Sequence, residues 1–265
     1  MIDPNWPHRV YLDFPGASLD GIVEWVGEET IDASCRKLRI DEKFNGSLSR
    51  LAQFKKLEYL RIPTSLIREL TGSALPDSLR VIATSGPSKK TCTFLDQGVF
   101  PIDRIITGKL RIDTRDFPNL RHVDVDLDAK LLDNLGGMRD PLITVNVQNL
   151  RKDNLIHDAL TQDAFRQIEF LGLRGGEISN AIGNLPNLRS LWIQSLRDFD
   201  MKYIEELPVE ELTIGYMKEI RSLERVCAFP HLRHLRLFGC GDVGISKIRD
   251  ALCTRGVKVV LSGAR

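Results

Sequence analysis

The sequence predicts an α/β fold: a right-handed superhelix in which short parallel strands form one face and short helices or loops return the chain along the other. Three observations support this prediction. An apolar triplet with the spacing i, i+3, i+5 recurs, its copies lie about 22 residues apart, and proline often precedes the next copy. The composition agrees with a packed domain, because 42% hydrophobic residues supply a core and 28% charged residues supply a solvated surface.

The triplet is the main signal in the sequence. Four copies are nearly identical: Leu57/Leu60/Ile62, Leu120/Val123/Val125, Leu188/Leu191/Ile193 and Leu232/Leu235/Leu237. Weaker copies are Cys35/Leu38/Ile40, Leu79/Ile82/Thr84, Ile102/Ile105/Thr107, Leu142/Val145/Val147, Ile168/Leu171/Leu173, Val209/Leu212/Ile214 and Val257/Val260/Ser262. The last two members of each triplet are two residues apart, so on a strand both point to the same face. One strand cannot bury that face alone, whereas stacked copies form a continuous core.

The pattern L-x-x-L-x-L and its spacing resemble the leucine-rich repeats, whose units have about 20–29 residues. The resemblance covers nearly the whole chain and implies a parallel sheet on a concave face, with short helices or loops on a convex face. The family pattern also has an asparagine or cysteine three residues after the triplet. Only Cys240 keeps that residue, so the chain resembles a divergent, irregular member of the family.

The segments between triplets are expected to return the chain through short helices. Helical returns are predicted at 47–56, 128–135, 201–206, 220–228 and 245–253. Four returns end in an apolar residue followed by proline, at Pro118, Pro186, Pro208 and Pro230. Proline ends a helix and pushes the preceding residue toward extended geometry, so each of these pairs predicts that a strand follows.

The chain is predicted to form a single structural domain with a distinct N-terminal end. Residues 1–34 are expected to form a cap that includes a degenerate first repeat at Arg9/Leu12/Phe14, and apolar residues at 19, 22, 23 and 26 predict a helix within it. Residues 35–265 form the solenoid, which ends in a helix and a strand. Segment 85–114 is irregular, because Leu110-Arg-Ile112 competes there with Ile102/Ile105 as the strand.

Two glycine-containing patterns are typical of turns rather than of phosphate binding. Residues 86–91 end like a nucleotide-binding loop, but they lack the glycine that such a loop needs just before its lysine. Residues 239–244 are rich in glycine and follow a predicted strand, where a tight turn is needed. Neither segment is therefore expected to bind a nucleotide.

Histidine, cysteine and aspartate side chains offer no clear reactive group. His231, His234 and Cys240 suggest zinc, but residues three apart on a strand point to opposite faces, so the two histidines should not converge. Asp124 and Asp126 are expected as a solvated acidic patch or as partner contacts rather than as a cation site. We therefore expect no catalysis, no cofactor and no metal.

Charge and cysteine content indicate the environment of the chain. A formal net charge of +1 argues against a dedicated nucleic-acid binder, which usually carries a strong basic excess. The N-terminus lacks a signal-peptide pattern, and no apolar run is long enough to span a membrane. The 5 cysteines are scattered rather than paired. We expect a cytoplasmic protein with reduced thiols, preferentially a monomer.

The repeat register predicts which side chains a partner would contact. The third, fifth and seventh positions of each repeat should project from the concave face. The predicted partner contacts are Tyr59, Arg61, Asp124, Asp126, Phe170, Arg174, Trp192, Gln194, Arg236 and Phe238. Tryptophan, tyrosine and arginine are the residue types that dominate interface hot spots.

The favoured function is a non-catalytic protein-recognition module, which acts as an inhibitor, a neutralising antidote or an adaptor. One alternative is binding of nucleic acid or another polyanion through Lys37, Arg39, Arg61 and Arg104 at the basic N-terminal end of the concave face. Another is an enzyme whose active site lies in the irregular middle segment.

Overall fold

The structure is a computed structural model that divides into two compact units, Met1–Leu142 and Ile143–Arg265. It describes residues 18, 20–27, 29–85, 92–93, 100–107, 110–111, 117–126, 143–148, 165–176, 182, 185–197, 199–240 and 244–263. The predicted triplet at Arg9/Leu12/Phe14 and the predicted helical return at 128–135 lie outside these residues.

The first unit is built on parallel strands that pair in chain order. They are β1 (Val23–Trp25), β2 (Lys37–Ile40), β3 (Tyr59–Pro63), β4 (Val81–Ser85), β6 (Arg104–Thr107) and β8 (His122–Asp126). Two short strands, β5 (Cys92–Thr93) and β7 (Leu110–Arg111), pair with each other in a separate parallel ladder. Short 3-10 helices at Leu48–Gln53, Thr64–Glu69 and Gly72–Ala74 return the chain between strands.

The second unit repeats this arrangement. Its parallel strands are β9 (Thr144–Gln148), β10 (Phe170–Arg174), β11 (Ser190–Gln194), β12 (Glu211–Gly215), β13 (His234–Phe238) and β14 (Lys258–Ser262). Described returns include 3-10 helices at Met201–Tyr203 and Leu223–Ala228 and the helix α1 (Ser246–Thr254). In each unit the architecture is therefore solenoid-like: parallel strands adjacent in chain order, connected by short helices.

Each predicted triplet has its own strand in these two ladders. β6 uses the triplet at Ile102/Ile105, and Leu110 lies in the separate strand β7, which resolves the ambiguity of the irregular segment. The predicted core residues Leu60, Ile62, Leu171, Leu191, Leu212 and Leu235 are all buried. The prediction of stacked parallel strands around a core is confirmed.

Helical returns close the other side of this core. Their inward residues, Leu48, Leu51, Ile67, Leu223 and Val226, are buried. Side chains cap two of the returns, since the Ser47 hydroxyl accepts from the Ser49 N–H and the Asp200 carboxylate accepts from the Lys202 N–H. Such caps satisfy backbone donors that a helix start leaves unpaired, so short helices suffice to return the chain.

Left-handed backbone ends five successive strands of the second unit. The residue after the seventh repeat position has a φ between 50° and 75° at Gly175, Ser195, Tyr216, Gly239 and Gly263. The N–H groups of the first four donate to the next strand, for example from Ser195 to the Gly215 carbonyl at 2.9 Å and from Tyr216 to the Phe238 carbonyl at 2.9 Å. The turn thus extends the ladder by one hydrogen bond per repeat.

The predicted helix in the N-terminal cap is wrong. Residues 23–25 form β1, which pairs in parallel with β2. Trp25 is fully buried and packs edge-on against Phe44 and Phe54, with ring centroids 4.6 and 5.7 Å away. Val23 and Val26 are exposed, so the apolar stripe at 19, 22, 23 and 26 does not mark the buried face. The large ring at Trp25, which that stripe omits, determines the fold of the cap.

The predicted register of the last repeat is wrong by one residue. Val259 and Leu261 lie opposite Leu235 and Leu237, in the positions assigned to Val260 and Ser262. Gly256 has a φ of +78° directly after α1. This left-handed residue turns the chain tightly, so β14 starts one residue earlier than in the other repeats.

Candidate protein-binding face

In each unit the third, fifth and seventh repeat positions lie on the side of the strands opposite the core, and together they form the non-core face. Strand pairing aligns the fifth-position residues as predicted. In the first unit they are Arg39, Arg61, Ala83, Ile106 and Asp124, and in the second Asn146, Gly172, Trp192, Thr213 and Arg236. The columns of neighbouring side chains expected from the repeat register are therefore present.

An apolar cluster covers part of this face in the first unit. Tyr59, Val81 and Ala83 are buried, and Ile22 and Ile106 pack against them. Ile22 directly precedes β1, so the residue next to the first strand contributes to this cluster. Burial raises the pKa of the Tyr59 phenol. The side chain of Tyr59, a predicted partner contact, is therefore enclosed by other side chains of the same chain.

The predicted basic end of the face is largely engaged within the chain. The Lys37 ammonium donates to the carbonyls of Ser18 and Asp20 at 2.9 and 3.1 Å. Arg39 forms an ion pair with Glu24, with 3.1 Å between nitrogen and oxygen. Arg104 is buried, with 3% of its surface exposed, and Arg61 is half-buried. These four side chains do not form an open cationic patch.

Three aromatic rings meet on the non-core face of the second unit; Trp192, Tyr216 and Phe238 form the aromatic cluster. The Trp192 and Phe238 ring centroids are 6.5 Å apart, and those of Tyr216 and Phe238 are 5.1 Å apart, both edge to face. Tyr216 is 58% exposed, whereas Trp192 and Phe238 are half-buried. Predicted contacts at Trp192 and Phe238 therefore keep accessible surface.

Two glycines hold the aromatic cluster against the sheet. A β-carbon at Gly215 would overlap the Phe238 ring, and a β-carbon at Gly239 would overlap the Tyr216 ring. The rings therefore lie directly on the backbone of the neighbouring strand or turn. Because they rest on backbone, their positions are defined before any partner arrives.

At the third repeat position of β9, β10 and β11, the side chains on this face are buried. Phe170 is fully buried and lies opposite Thr144 and Ser190, which are buried as well. Strand alternation places the side chain of Phe170, a predicted partner contact, on the non-core face, where it has no exposed surface in this structure.

A polar row crosses the second unit beside the aromatic cluster. Ser190, Glu211 and His234 are opposite one another on β11, β12 and β13. The pKa of the Glu211 carboxyl is raised to about 6, mainly by burial and also by nearby Glu210, while the Ser190 hydroxyl opposes the shift. Burial and the positive charges of Lys258 and Arg233 lower the pKa of His234. The histidine is therefore largely neutral near pH 7.

Within this row the histidine does not reach the serine. A catalytic base must reach the nucleophile directly, within hydrogen-bonding distance. Glu211 lies between Ser190 and His234, so the histidine is two strands away from the serine hydroxyl. The arrangement instead places one carboxylate in a partly buried polar setting.

The remaining predicted contacts differ in their exposure. Arg174 is exposed, whereas Gln194, Arg236 and Asp124 are half-buried. Asp126 belongs to β8, but its side chain lies outside the part of the structure that is described. Accessible predicted contacts in the second unit thus combine aromatic rings with arginine side chains.

Tyr216 is the surface residue that sequence reasoning missed. It follows the seventh position and so falls outside the three predicted columns. Its signal was present in the repeat alignment, since Gly175, Gly239 and Gly263 occupy the equivalent place in other repeats. Tyrosine therefore occupies a left-handed position at which three other repeats have glycine.

No model of a known protein family matches this chain, and neither does any curated protein sequence. Among the described residues, no group of histidine, cysteine, aspartate and glutamate side chains could hold a metal ion. In the same residues no helix is long and apolar enough to cross a membrane. Four cysteines, Cys35, Cys227, Cys240 and Cys253, are free thiols.

Proposed function

We propose that this chain is a divergent leucine-rich-repeat protein that binds another protein through the non-core face of β11 to β13. The observation that supports this function is the aromatic cluster, in which Trp192, Tyr216 and Phe238 gather on one accessible surface. Binding itself is the output, as in a non-catalytic inhibitor, a neutralising antidote or an adaptor.

Aromatic rings suit this role because they offer large contact areas at a low entropic penalty. Each ring has only two side-chain torsions to restrict, and Phe238 and Tyr216 already rest against glycine backbone. An anchor of this kind typically contributes about 2 kcal/mol or more to binding a protein. Neighbouring polar positions, such as Gln194, would surround the anchors and hydrogen-bond to the partner.

Backbone strain at Tyr216 gives independent support. Its φ of 50° lies in the left-handed region, which disfavours side chains other than glycine. Tyr216 is nevertheless 58% exposed, so burial within this chain offsets little of that backbone strain. Contact between the Tyr216 ring and a partner protein would offset it.

The test begins with affinity purification using the whole chain as bait, followed by titration against the purified partner. We expect Trp192→Ala to retain the wild-type thermal melt but to weaken binding at least about tenfold, the effect of losing one hot-spot anchor. Arg236→Ala should have a smaller effect in the same direction. Lys202→Ala, in the 3-10 helix between β11 and β12, is the control and should bind normally.

Two outcomes would contradict the proposal. If Trp192→Ala unfolds the chain, the indole is a core element rather than a contact. If it folds and binds like the wild type, the partner uses another surface.

A further inference from the structure

We infer that the partner segment is acidic as well as apolar: it places a bulky apolar side chain on the aromatic cluster and a carboxylate on Arg174. This inference rests on the proposed function and specifies the chemistry of the ligand. The charges and spacing on the non-core face of the second unit support it.

Positive charge predominates among the described side chains of this face. Arg174, Arg236 and Lys258 are cationic, whereas Glu211 is the one acidic residue at a described third, fifth or seventh position from β9 to β14. Glu211 occupies the third position, at the opposite end of the strands from the seventh-position row. An approaching carboxylate therefore meets little repulsion near the seventh position.

The seventh-position row joins the cation directly to the aromatic cluster. Arg174, Gln194, Gly215 and Phe238 are opposite one another on successive strands. This row contains no acidic residue. Gln194 contributes a neutral amide between the charge and the rings, which can hydrogen-bond to the backbone of a bound peptide.

Arg174 is available for an external partner. Its side chain is exposed, and no ion pair between described residues includes it. The basic residues of the first unit differ, because Glu24 pairs with Arg39 and backbone carbonyls accept from Lys37. A carboxylate bound to Arg174 would therefore not have to displace an internal partner.

The distance between Arg174 and the aromatic cluster predicts how far apart the two contacting side chains lie along the peptide. The Phe238 ring lies over Gly215, which is two strands from Arg174. Two strand separations are about 10 Å, and an extended peptide advances about 3.3 Å per residue. The carboxylate and the apolar side chain should therefore be about three residues apart.

A polyanion such as a nucleic acid fits these observations less well. Polyanion binding relies on several phosphate contacts, each made by a separate cation. In the seventh-position row only Arg174 is positively charged, and the aromatic cluster occupies the other end. The arrangement favours one carboxylate next to one apolar group.

The experiment selects random 12-residue peptides displayed on phage against the full chain and measures the affinities of the selected peptides. We expect enrichment of aspartate or glutamate about three residues from leucine, isoleucine, phenylalanine or tryptophan. Arg174→Gln, at an exposed site, should keep the wild-type melt and weaken such a peptide about fivefold, as expected for one exposed ion pair. Trp192→Ala should weaken it more, and Lys202→Ala should leave it unchanged.

Each contrary result has a distinct meaning. Selected peptides that depend on Trp192 but are basic or neutral, or that ignore Arg174→Gln, overturn the acidic assignment and leave the protein-binding function standing. If no selected peptide depends on Trp192, both fail. A 20-nucleotide single-stranded oligo(dT) that binds more tightly than the peptides, with the same dependence on Arg174, overturns the inference in favour of a polyanion.

Discussion

Tyr216 adopts a backbone conformation that its own side chain disfavours. A left-handed conformation raises the energy of a residue with a β-carbon by about 1–2 kcal/mol relative to the right-handed one. Ser195 has the same conformation one repeat earlier, with a φ of 54°, but it carries no ring. A comparison of Ser195 with Tyr216 therefore separates the effect of the backbone conformation on stability from the effect of the aromatic side chain.

Ser195→Gly should stabilise the folded chain. Glycine removes the strain of about 1–2 kcal/mol but loses about 0.5–1 kcal/mol in conformational entropy, so a net gain of about 0.5–1 kcal/mol is expected. Tyr216→Gly should gain less, because it also loses the ring contact with Phe238. Urea unfolding measures both changes. A clear loss of stability in Ser195→Gly would show that the serine side chain contributes to the turn.

Glu211 should make stability depend on pH in an unusual direction. Its pKa is raised from 4.5 to about 6 by burial, so the folded state holds the proton more tightly than the unfolded chain does. The contribution of Glu211 to the free energy of unfolding is therefore greatest below about pH 4.5, falls as the pH rises to about 6 and stays constant above.

Glu211→Gln removes this titration. The difference in free energy of unfolding between wild type and variant, measured by urea titration across pH 4 to 8, should shift in favour of the variant as the pH rises through that interval. Parallel pH profiles for the two proteins would show that the carboxyl is not buried in solution.

Strands of this protein use alternation to divide their residues between two faces. In β13 the fourth and sixth repeat positions, Leu235 and Leu237, are buried, while the residues between and beside them are half-buried. In β11 the same alternation places Leu191 and Ile193 in the core and Trp192 on the non-core face. Neighbouring strands pack against the same core, so a destabilising substitution in one strand also destabilises the next.

Leu191→Ala should destabilise the second unit by about 2–5 kcal/mol, the usual range for truncating a fully buried leucine. Thermal or urea unfolding measures the loss, and Lys202→Ala, in the return that follows, provides the surface control. A loss below about 1 kcal/mol would mean that Leu191 is not part of a close-packed core.

The corrected register of β14 predicts different effects for two neighbouring valines. Val259 lies opposite Leu235 and is half-buried, whereas Val260 is 36% exposed. Val259→Ala removes two methyl groups, worth roughly 0.8 kcal/mol each when fully buried, so it should destabilise the chain by up to about 1.5 kcal/mol and by more than Val260→Ala. Comparison of the two variants by urea unfolding tests the register. A larger effect at Val260 would restore the register predicted from the triplet spacing.

At the level of the whole chain, sequence periodicity predicts the interior of the repeats and fails at their ends. A triplet such as Leu188/Leu191/Ile193 has a neighbour on both sides, so only one strand register buries every member. Among the described strands, β1 in the cap has a neighbour on one side only, and there the stripe of apolar residues did not identify the buried side chain, which is Trp25. At the last repeat, Gly256 shortens the turn, which an apolar pattern does not record.

The binding face was predicted to the same limited extent. Alternation correctly placed Trp192 and Phe238 on the non-core face, because it depends only on the strand period. It did not predict that Tyr59 and Phe170 are buried, since the strand period assigns a side chain to a face but does not give the exposure of that face. The pattern did not predict Tyr216 as part of this face, because the feature that distinguishes Tyr216 is a backbone dihedral angle and not a position in the alternation.

Nearest-neighbour pairing also determines how this protein should respond to mechanical force. Within the described part of the second unit, β10 to β13 each pair only with the strand before and the strand after in chain order, and β14 pairs only with β13. Tension applied at the C-terminal end therefore loads β14 alone until it detaches, and then passes to β13. Each detachment releases one repeat of about 22 residues, which lengthens the chain by about 75 Å when extended. In an optical-tweezers experiment the second unit should unfold in successive steps of this length, and each step should correspond to the loss of one strand from the sheet.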